Sequence, residues 1–537
     1  MKPKTLTAVV ALSLFLSATY SQAQNYFKRP KLVVGVVVDQ MRWDYLIRYQ
    51  DRYSEDGFKR LMNQGYNCNR TLINYLPSVT AVGHTAIYTG SVPAINGISS
   101  GSIYLNGRLL DTVYDEEKQP VGIEGKHSSS PHNLLVTTIT DELRLATNFK
   151  SKVISVSLKD RASILPGGHT ANAAYWFDGK SGNFYTSTYY MESLPSWVES
   201  FNAKKLADKY NKQGWQFLYD EDAYEQSHAK NPEIELKVGY DVSNSHFGNN
   251  IVLDFAREAL VNEELGKDTT TDFLAVSLSA PDHIAHKVGP NSSYMEDLYL
   301  RLDKELAGFI DYLDTKVGKE NYVLFLTADH AAANNHHFLK EHKIPAGYMF
   351  DNLLRNDLDS LARKEFGVDH TFVWAISTNQ VFLHEENIKK YGVDRQKVID
   401  LLCNRLMQNE NIAYAFDFRN IPTYLPEPIR TMVVNGYHPK RNGQIQIIPN
   451  PQVSNPYSYG KPEAGTQHCV WNPYDCHIPL IFYGAGIPKG WDEHTYHITD
   501  IAPTLAAILN IQQPSGCVGN VITPVLSTRN DVKNSKK

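Results

Sequence analysis

An α/β fold, with a mostly parallel central sheet flanked by helices and interrupted by inserted cap segments, is predicted by three features of this 537-residue chain. Short continuous apolar runs recur along it, helical patterns separate them, and two long polar stretches break the alternation. Continuous apolar runs of strand length signal strands buried on both faces, as in a parallel sheet covered by helices.

Residues 1–23 stand apart from that pattern. Lys2 and Lys4 form a basic end, Leu6 to Ala18 an apolar stretch, and Ser21-Gln22-Ala23 a small-x-small cleavage site, the features of a secretory signal peptide. The apolar stretch falls short of the ~20 residues a membrane span needs, and no Cys follows it for a lipid anchor. No later stretch has the character of a span. The sequence therefore predicts a periplasmic or secreted protein without a stable membrane anchor.

The remaining residues, 24–537, read as one catalytic domain. LVVGVVV (32–38) opens the sheet, and a helix is expected over Ser54–Asn63. KVISVSL (152–158), DFLAVSL (272–278) and YVLFLTA (322–328) supply further strands. IPLIFYG (478–484) closes the set, ahead of a helix over Asp500–Leu509. Residues 295–317 form an amphipathic helix, with Leu298, Leu302, Leu306, Ile310 and Leu313 at helical spacing. Stretches near 175–250, rich in Tyr, Trp and charge, and near 335–465, polar and proline-bearing, are expected to cap the ligand edge of the sheet.

Composition narrows the chemistry. The net charge of −5 gives no basic face, so no nucleic-acid-binding surface is expected. The five cysteines show no CxxC pair; export would allow disulfides, and Cys469 with Cys476 is the closest pair in sequence.

Seven metal-type side chains sit at or near the ends of apolar runs: Asp39, Thr80, Asp282, His286, Asp329, His330 and His468. Open α/β sheets bind ligands beyond the carboxyl ends of their strands, which is where these residues are expected. Asp282 and His286, four apart, share a face on a helical turn, with Pro281 suited to its start. His283 would point elsewhere. Asp329–His330 end a strand and can reach one ion where the backbone turns; His336 and His337 are rivals in a polar loop. In LPSVTAVGHTAIYTGSVP (76–93), Ser78, Thr80 and Thr85 stand near a helix N-terminus. That site suits a phosphate, although a hydroxyl there also serves as a plain helix cap. Lys159 and Arg161, two apart after a strand, would face one side of an extended chain, as a phosphate clamp or as a solvated loop.

In combination these residues resemble the alkaline phosphatase superfamily, and more closely its PafA-type periplasmic alkaline phosphatases. VVDQMRWDYL (37–46), PSVTAVGHT (77–85), SLKDR (157–161), PDHIAH (281–286), TADH (327–330), GTQH (465–468) and DIAPTLAAIL (500–509) carry the resemblance in order, and WFDGKSGNFYTSTYY (176–190) adds to it. The resemblance implies an alkaline phosphatase-like fold and two zinc ions, one held by Asp282, His286 and His468, the other by Asp39, Asp329 and His330. It also implies Thr80 as nucleophile, Lys159 and Arg161 on the phosphoryl oxygens, and hydrolysis of small phosphate monoesters through a phosphothreonine. At Gly101 relatives usually carry an Asn, so the contact of its amide to phosphate is missing here unless Ser100, Ser102 or a backbone N–H substitutes for it. A phosphodiesterase of the same superfamily and a catalytically silent ligand-binding homologue are the alternatives; no C-x-P-x-R or S-x-P-x-R sequence supports a sulfatase.

Overall fold

Leu32–Val38 form a strand whose every residue is buried, because the β-branched side chains of LVVGVVV pack on both faces of a sheet. In this computed structural model the described residues are 29–105, 107–126, 128–226, 242–456 and 465–526. The expected signal segment, 1–23, lies outside them.

The first strand pairs in parallel with Tyr322–Thr327 on one side and Asp272–Leu278 on the other. Val153–Ser157 and Ala173–Asp178 continue the parallel run. These five strands form the centre of an eleven-stranded sheet among the described residues. Leu480–Gly484 adds beside Tyr322–Thr327 but runs antiparallel. The parallel expectation for IPLIFYG is therefore corrected. The chain reaches this strand from His468, at the carboxyl edge of the sheet, so it must run back the other way. Tyr66–Leu72 and Asn183–Ser187 extend the two flanks, also through antiparallel pairing.

The helices follow the apolar spacing with shifts at their starts. Ser293–Lys316 is a 24-residue helix that buries Leu298, Leu302, Leu306, Ile310 and Leu313, and the Ser292 side chain caps it by accepting from the Tyr294 N–H. The helix expected from Ser54 begins only at Phe58. There the Asp303 carboxylate accepts the N–H groups of Ser54 and Phe58, both at 2.7 Å, holding the intervening chain outside the helix.

Two additions flank this core. Within the stretch near 175–250, Ala173–Asp178 and Asn183–Ser187 form a hairpin of the sheet itself. Beyond it, helices Ser196–Ala203 and Leu206–Gln213 lead to residues tied to the long helix by Asp297, which accepts from Trp215 Nε1 at 2.6 Å and Leu218 N at 2.8 Å. Within 335–465 an antiparallel sheet of four strands (Val373–Ser377, Gln380–Leu383, Ile445–Pro449, Ile412–Asp417) closes a core of its own around Leu358, Val381, Leu402 and Ile447. Its first hairpin turns at Thr378 and Asn379, both in the left-handed region (φ 48° and 60°).

Candidate metal centre

Four carboxyl ends of parallel strands converge on one buried site. Asp39 follows Leu32–Val38, Lys159 follows Val153–Ser157, the Ala280–Val288 helix with Asp282 and His286 follows Asp272–Leu278, and Asp329–His330 follow Tyr322–Thr327. Thr80 opens the Thr80–Thr89 helix. Gly83 lets this helix pack on Asp329, since a Cβ there would collide with the Asp329 backbone and side chain. His468 arrives from the loop before the antiparallel strand.

The ligand atoms fall into two groups, Asp282–His286–His468 and Asp39–Asp329–His330, each with members within 4.8 Å of one another. In the first, Asp282 Oδ1 lies 3.1 Å from His286 Nε2 and 3.7 Å from His468 Nε2. In the second, His330 Nε2 lies 3.5 Å from Asp39 Oδ1 and 3.7 Å from Asp329 Oδ2. The three imidazoles are oriented in the same way. Nδ1 of His286, His330 and His468 stands 2.9, 3.0 and 2.7 Å from the carbonyls of Thr466, Ala331 and Ser78. A carbonyl only accepts, so each Nδ1 carries the proton and each Nε2 presents its lone pair to the carboxylates, the outer bonding that metal-ligating histidines show. The His330 and His468 rings stack at 3.8 Å, so the two groups are contiguous.

Charge supports the same reading. Asp39, Asp282 and Asp329 are all buried; Asp39 Oδ1 is buried without a hydrogen-bond partner, and Asp329 Oδ2 has His84 Nδ1 at 3.1 Å. The Lys159 ammonium lies 2.7 Å from Asp39 Oδ2, 2.5 Å from Asp282 Oδ2 and 3.3 Å from Thr80 Oγ1. Burial, with Asp329 close by, pushes the Asp39 carboxyl well above its usual range. Burial pushes Asp282 and Asp329 up as well, yet His286 and Lys159 hold the first below that range, and His330 and His84 the second. Three carboxylates against one lysine, with Asp39 Oδ1 orphaned, form a donor set that fits divalent cations of the kind O and N ligands bind.

Thr80 Oγ1 lies 3.5 Å from His330 Nε2, beside the second group. Helix capping is not its role, nor that of Ser78: Val79 occupies the cap position without a side-chain bond. Ser78 Oγ instead donates to Val470 O at 3.0 Å and Asp475 Oδ2 at 3.2 Å, and Thr85 donates back to Ala81 O.

Lys159 and Arg161 do not stand on an extended chain. A helix begins at Asp160, which sends Lys159 into the site and sets Arg161 in the first turn, about one-third exposed, with Nη1 3.5 Å from Asp160 Oδ1. His283 turns away, donating through Nδ1 to Ser243 O, and His336 stacks on Tyr348 at 4.0 Å. All five cysteines are free thiols, Cys469 and Cys476 included.

Two residues of the site escaped the sequence reading. Gln40, left-handed at φ 65°, donates from N to Asp329 Oδ1 and from Nε2 to Asp282 Oδ1, which links the two groups. His84 places Nδ1 2.9 Å from Thr80 O and 3.1 Å from Asp329 Oδ2, and Nε2 2.8 Å from Ser277 Oγ. Its spacing of four from Thr80, one helical turn, was the available signal.

Gly101 needs no glycine on conformational grounds. Its φ is outside the left-handed region, and no heavy atom lies within 4 Å of where a Cβ would stand. Ser100, beside it, hydrogen-bonds through Oγ to Thr378 Oγ1 at 2.9 Å.

Residues 33–475 match the family described as type I phosphodiesterase / nucleotide pyrophosphatase. A Myroides odoratus protein named calcium-transporting ATPase is 46% identical over 96% of this chain and 98% of its own. Alkaline phosphatase PhoV of Synechococcus elongatus is 46% identical over 93% of each chain. The crystal structure of alkaline phosphatase PafA superposes with a TM-score of 0.89 at 43% identity, covering 94% of this chain and all of that one.

Proposed function

Since the chain belongs to the type I phosphodiesterase / nucleotide pyrophosphatase family and is a phosphate monoester hydrolase akin to PafA and PhoV, we propose that it cleaves small monoesters through a phosphothreonine formed on Thr80. The observation that carries this reading is the Thr80 hydroxyl 3.5 Å from His330 Nε2 of the second group and 3.3 Å from the Lys159 ammonium, which in turn bonds Asp39 and Asp282, one from each group.

Asp282, His286 and His468 would hold one divalent ion and Asp39, Asp329 and His330 the other, zinc in both cases. Bound there, the pair would supply the positive charge that makes a hydroxyl nucleophilic and steadies a departing oxygen. Thr80 Oγ1 attacks phosphorus in line, the phosphorus–oxygen bond to the leaving alcohol breaks, and water then cleaves the Thr80 ester to release phosphate. Lys159 holds a non-bridging phosphoryl oxygen as a point charge, and Arg161 is assigned to the same oxygens. The transition state is loose and its charge lies on those oxygens, so positioning and electrostatics provide most of the rate. Residues 1–23 support export as the setting.

Thr80→Ala should abolish turnover while zinc content is retained; native-rate hydrolysis by this variant would refute the nucleophile assignment. The match to the type I phosphodiesterase / nucleotide pyrophosphatase family carries the second reading, a phosphodiesterase, whose site must leave room for another ester group. Comparing kcat/KM for a phenyl monoester and its methyl diester separates the two. The ATPase name borne by the Myroides relative describes transport; among the described residues no helix is long and apolar enough to cross a membrane.

A further inference from the structure

A cavity of about 260 Å³ opens beside His468, between the loop that carries this ligand and the inserted four-stranded unit. His468, on its wall, belongs to the Asp282–His286–His468 group, whereas Thr80 Oγ1 lies 3.5 Å from His330 of the other group. In-line attack by Thr80 sends the leaving group away from Thr80, which makes this cavity a candidate for the organic part of the substrate.

The walls define the chemistry of that part. The Asn352, Asn379 and Gln467 side chains bring amides, and Ser377 and Thr378 bring hydroxyls. Asn379 is anchored by donating to Cys469 O at 3.3 Å, and Thr378 by its bond to Ser100, so the turn that roofs the cavity is fixed at both residues. Amides and hydroxyls both donate and accept, which matches adjacent hydroxyls on a ring. Asp351 opens the helix on the same wall. Asn455 hydrogen-bonds to its carboxyl, yet Oδ1 is buried with no partner, an acceptor that a ligand O–H would satisfy, and burial pushes the carboxyl up to about 6. Phe350 supplies an aromatic face next to it. No lysine or arginine is among the described lining residues, so a leaving group with further phosphates finds no counter-charge there. The volume is below the ~300 Å³ at which drug-sized pockets begin and suits a single ring.

We propose that this cavity binds the polyhydroxylated leaving group of a sugar phosphate, with Asp351 Oδ1 accepting from a ring hydroxyl and the amides of Asn352, Asn379 and Gln467 engaging its neighbours. The proposal rests on the monoesterase reading above. Steady-state kcat/KM of the zinc-loaded protein is compared for glucose 6-phosphate, ethyl phosphate and ATP. The wild-type protein should favour the sugar ester over ethyl phosphate by at least about tenfold, the scale of a hydrogen bond to a charged group. Asp351→Asn and Asn352→Ala should each lower that ratio several-fold. An unchanged ratio in both variants, or a preference for ATP over the sugar ester, overturns the proposal. If none of the three esters is hydrolysed, the monoesterase reading has failed instead. Calorimetric binding of glucose 6-phosphate then decides: Kd at least fivefold weaker in Asp351→Asn supports the cavity assignment, and equal Kd overturns it.

Discussion

Replacing Gly101 by Asn should raise monoesterase efficiency without cost to the fold. The backbone at Gly101 is open to any L residue, and a Cβ would touch nothing within 4 Å, so the change in stability should stay within about ±0.5 kcal/mol. A hydrogen bond from a new amide to a phosphoryl oxygen, a charged acceptor, is worth ~1.5–3 kcal/mol. Ordering the previously absent side chain costs part of this, up to ~1 kcal/mol. The net ~1–2 kcal/mol corresponds to a roughly five- to thirtyfold gain. It should appear in kcat/KM for a phenyl monoester, and less for the methyl diester, which competes with the amide for the same space. Thermal melting checks that the variant is folded. A variant with native melting, unchanged monoester kcat/KM and unchanged monoester-to-diester ratio would refute the reasoning, and would mean that Gly101 does not border the phosphate.

Three further outcomes are expected. Lys159→Met removes the ammonium between Asp39 and Asp282; uncompensated buried charges cost ~3–5 kcal/mol, so chelator-treated variant protein should unfold at clearly lower denaturant than treated wild type, and equal midpoints would refute this role. His84→Gln loses the contact to Asp329, whereas His84→Asn keeps a donor near the Nδ1 position; zinc affinity should fall by roughly 10–100-fold in the first and by less in the second, as measured by competition with a chromophoric chelator. Glu305, with Oε2 buried and unpartnered, has its carboxyl pushed by burial up to about 8. The folded state then holds a proton that the unfolded state releases near pH 4.5, so stability declines as pH rises from about 4.5 to about 8. Glu305→Gln should melt higher than wild type at pH 9 and no higher at pH 4; parallel melting curves at both pH values would contradict this.

How much of the molecule could be read from the chain depends on the range of the interactions involved. The sequence by itself determined the strands and the residues that end them. A run such as LVVGVVV admits few conformations other than a strand buried on both faces, and a polar side chain closing it must emerge at the sheet's carboxyl edge, so Asp39, Asp282, Asp329 and His330 were legible. The spacing of four likewise placed Asp282 and His286 on one helical face. Tertiary structure alone decided what lay between those elements. Whether Lys159 and Arg161 share a direction depended on where the helix began, and it began at Asp160. The reversed direction of Leu480–Gly484 followed from the side on which the inserted unit returns the chain. Gln40 and His84 became parts of the site only when Asp282, Asp329 and Ser277, far away in sequence, came within hydrogen-bonding distance. The turn at Thr378–Asn379 met Ser100 and Cys469 in the same way. Local periodicity records which face of an element is buried, but only the packed fold sets which distant side chains that face will meet.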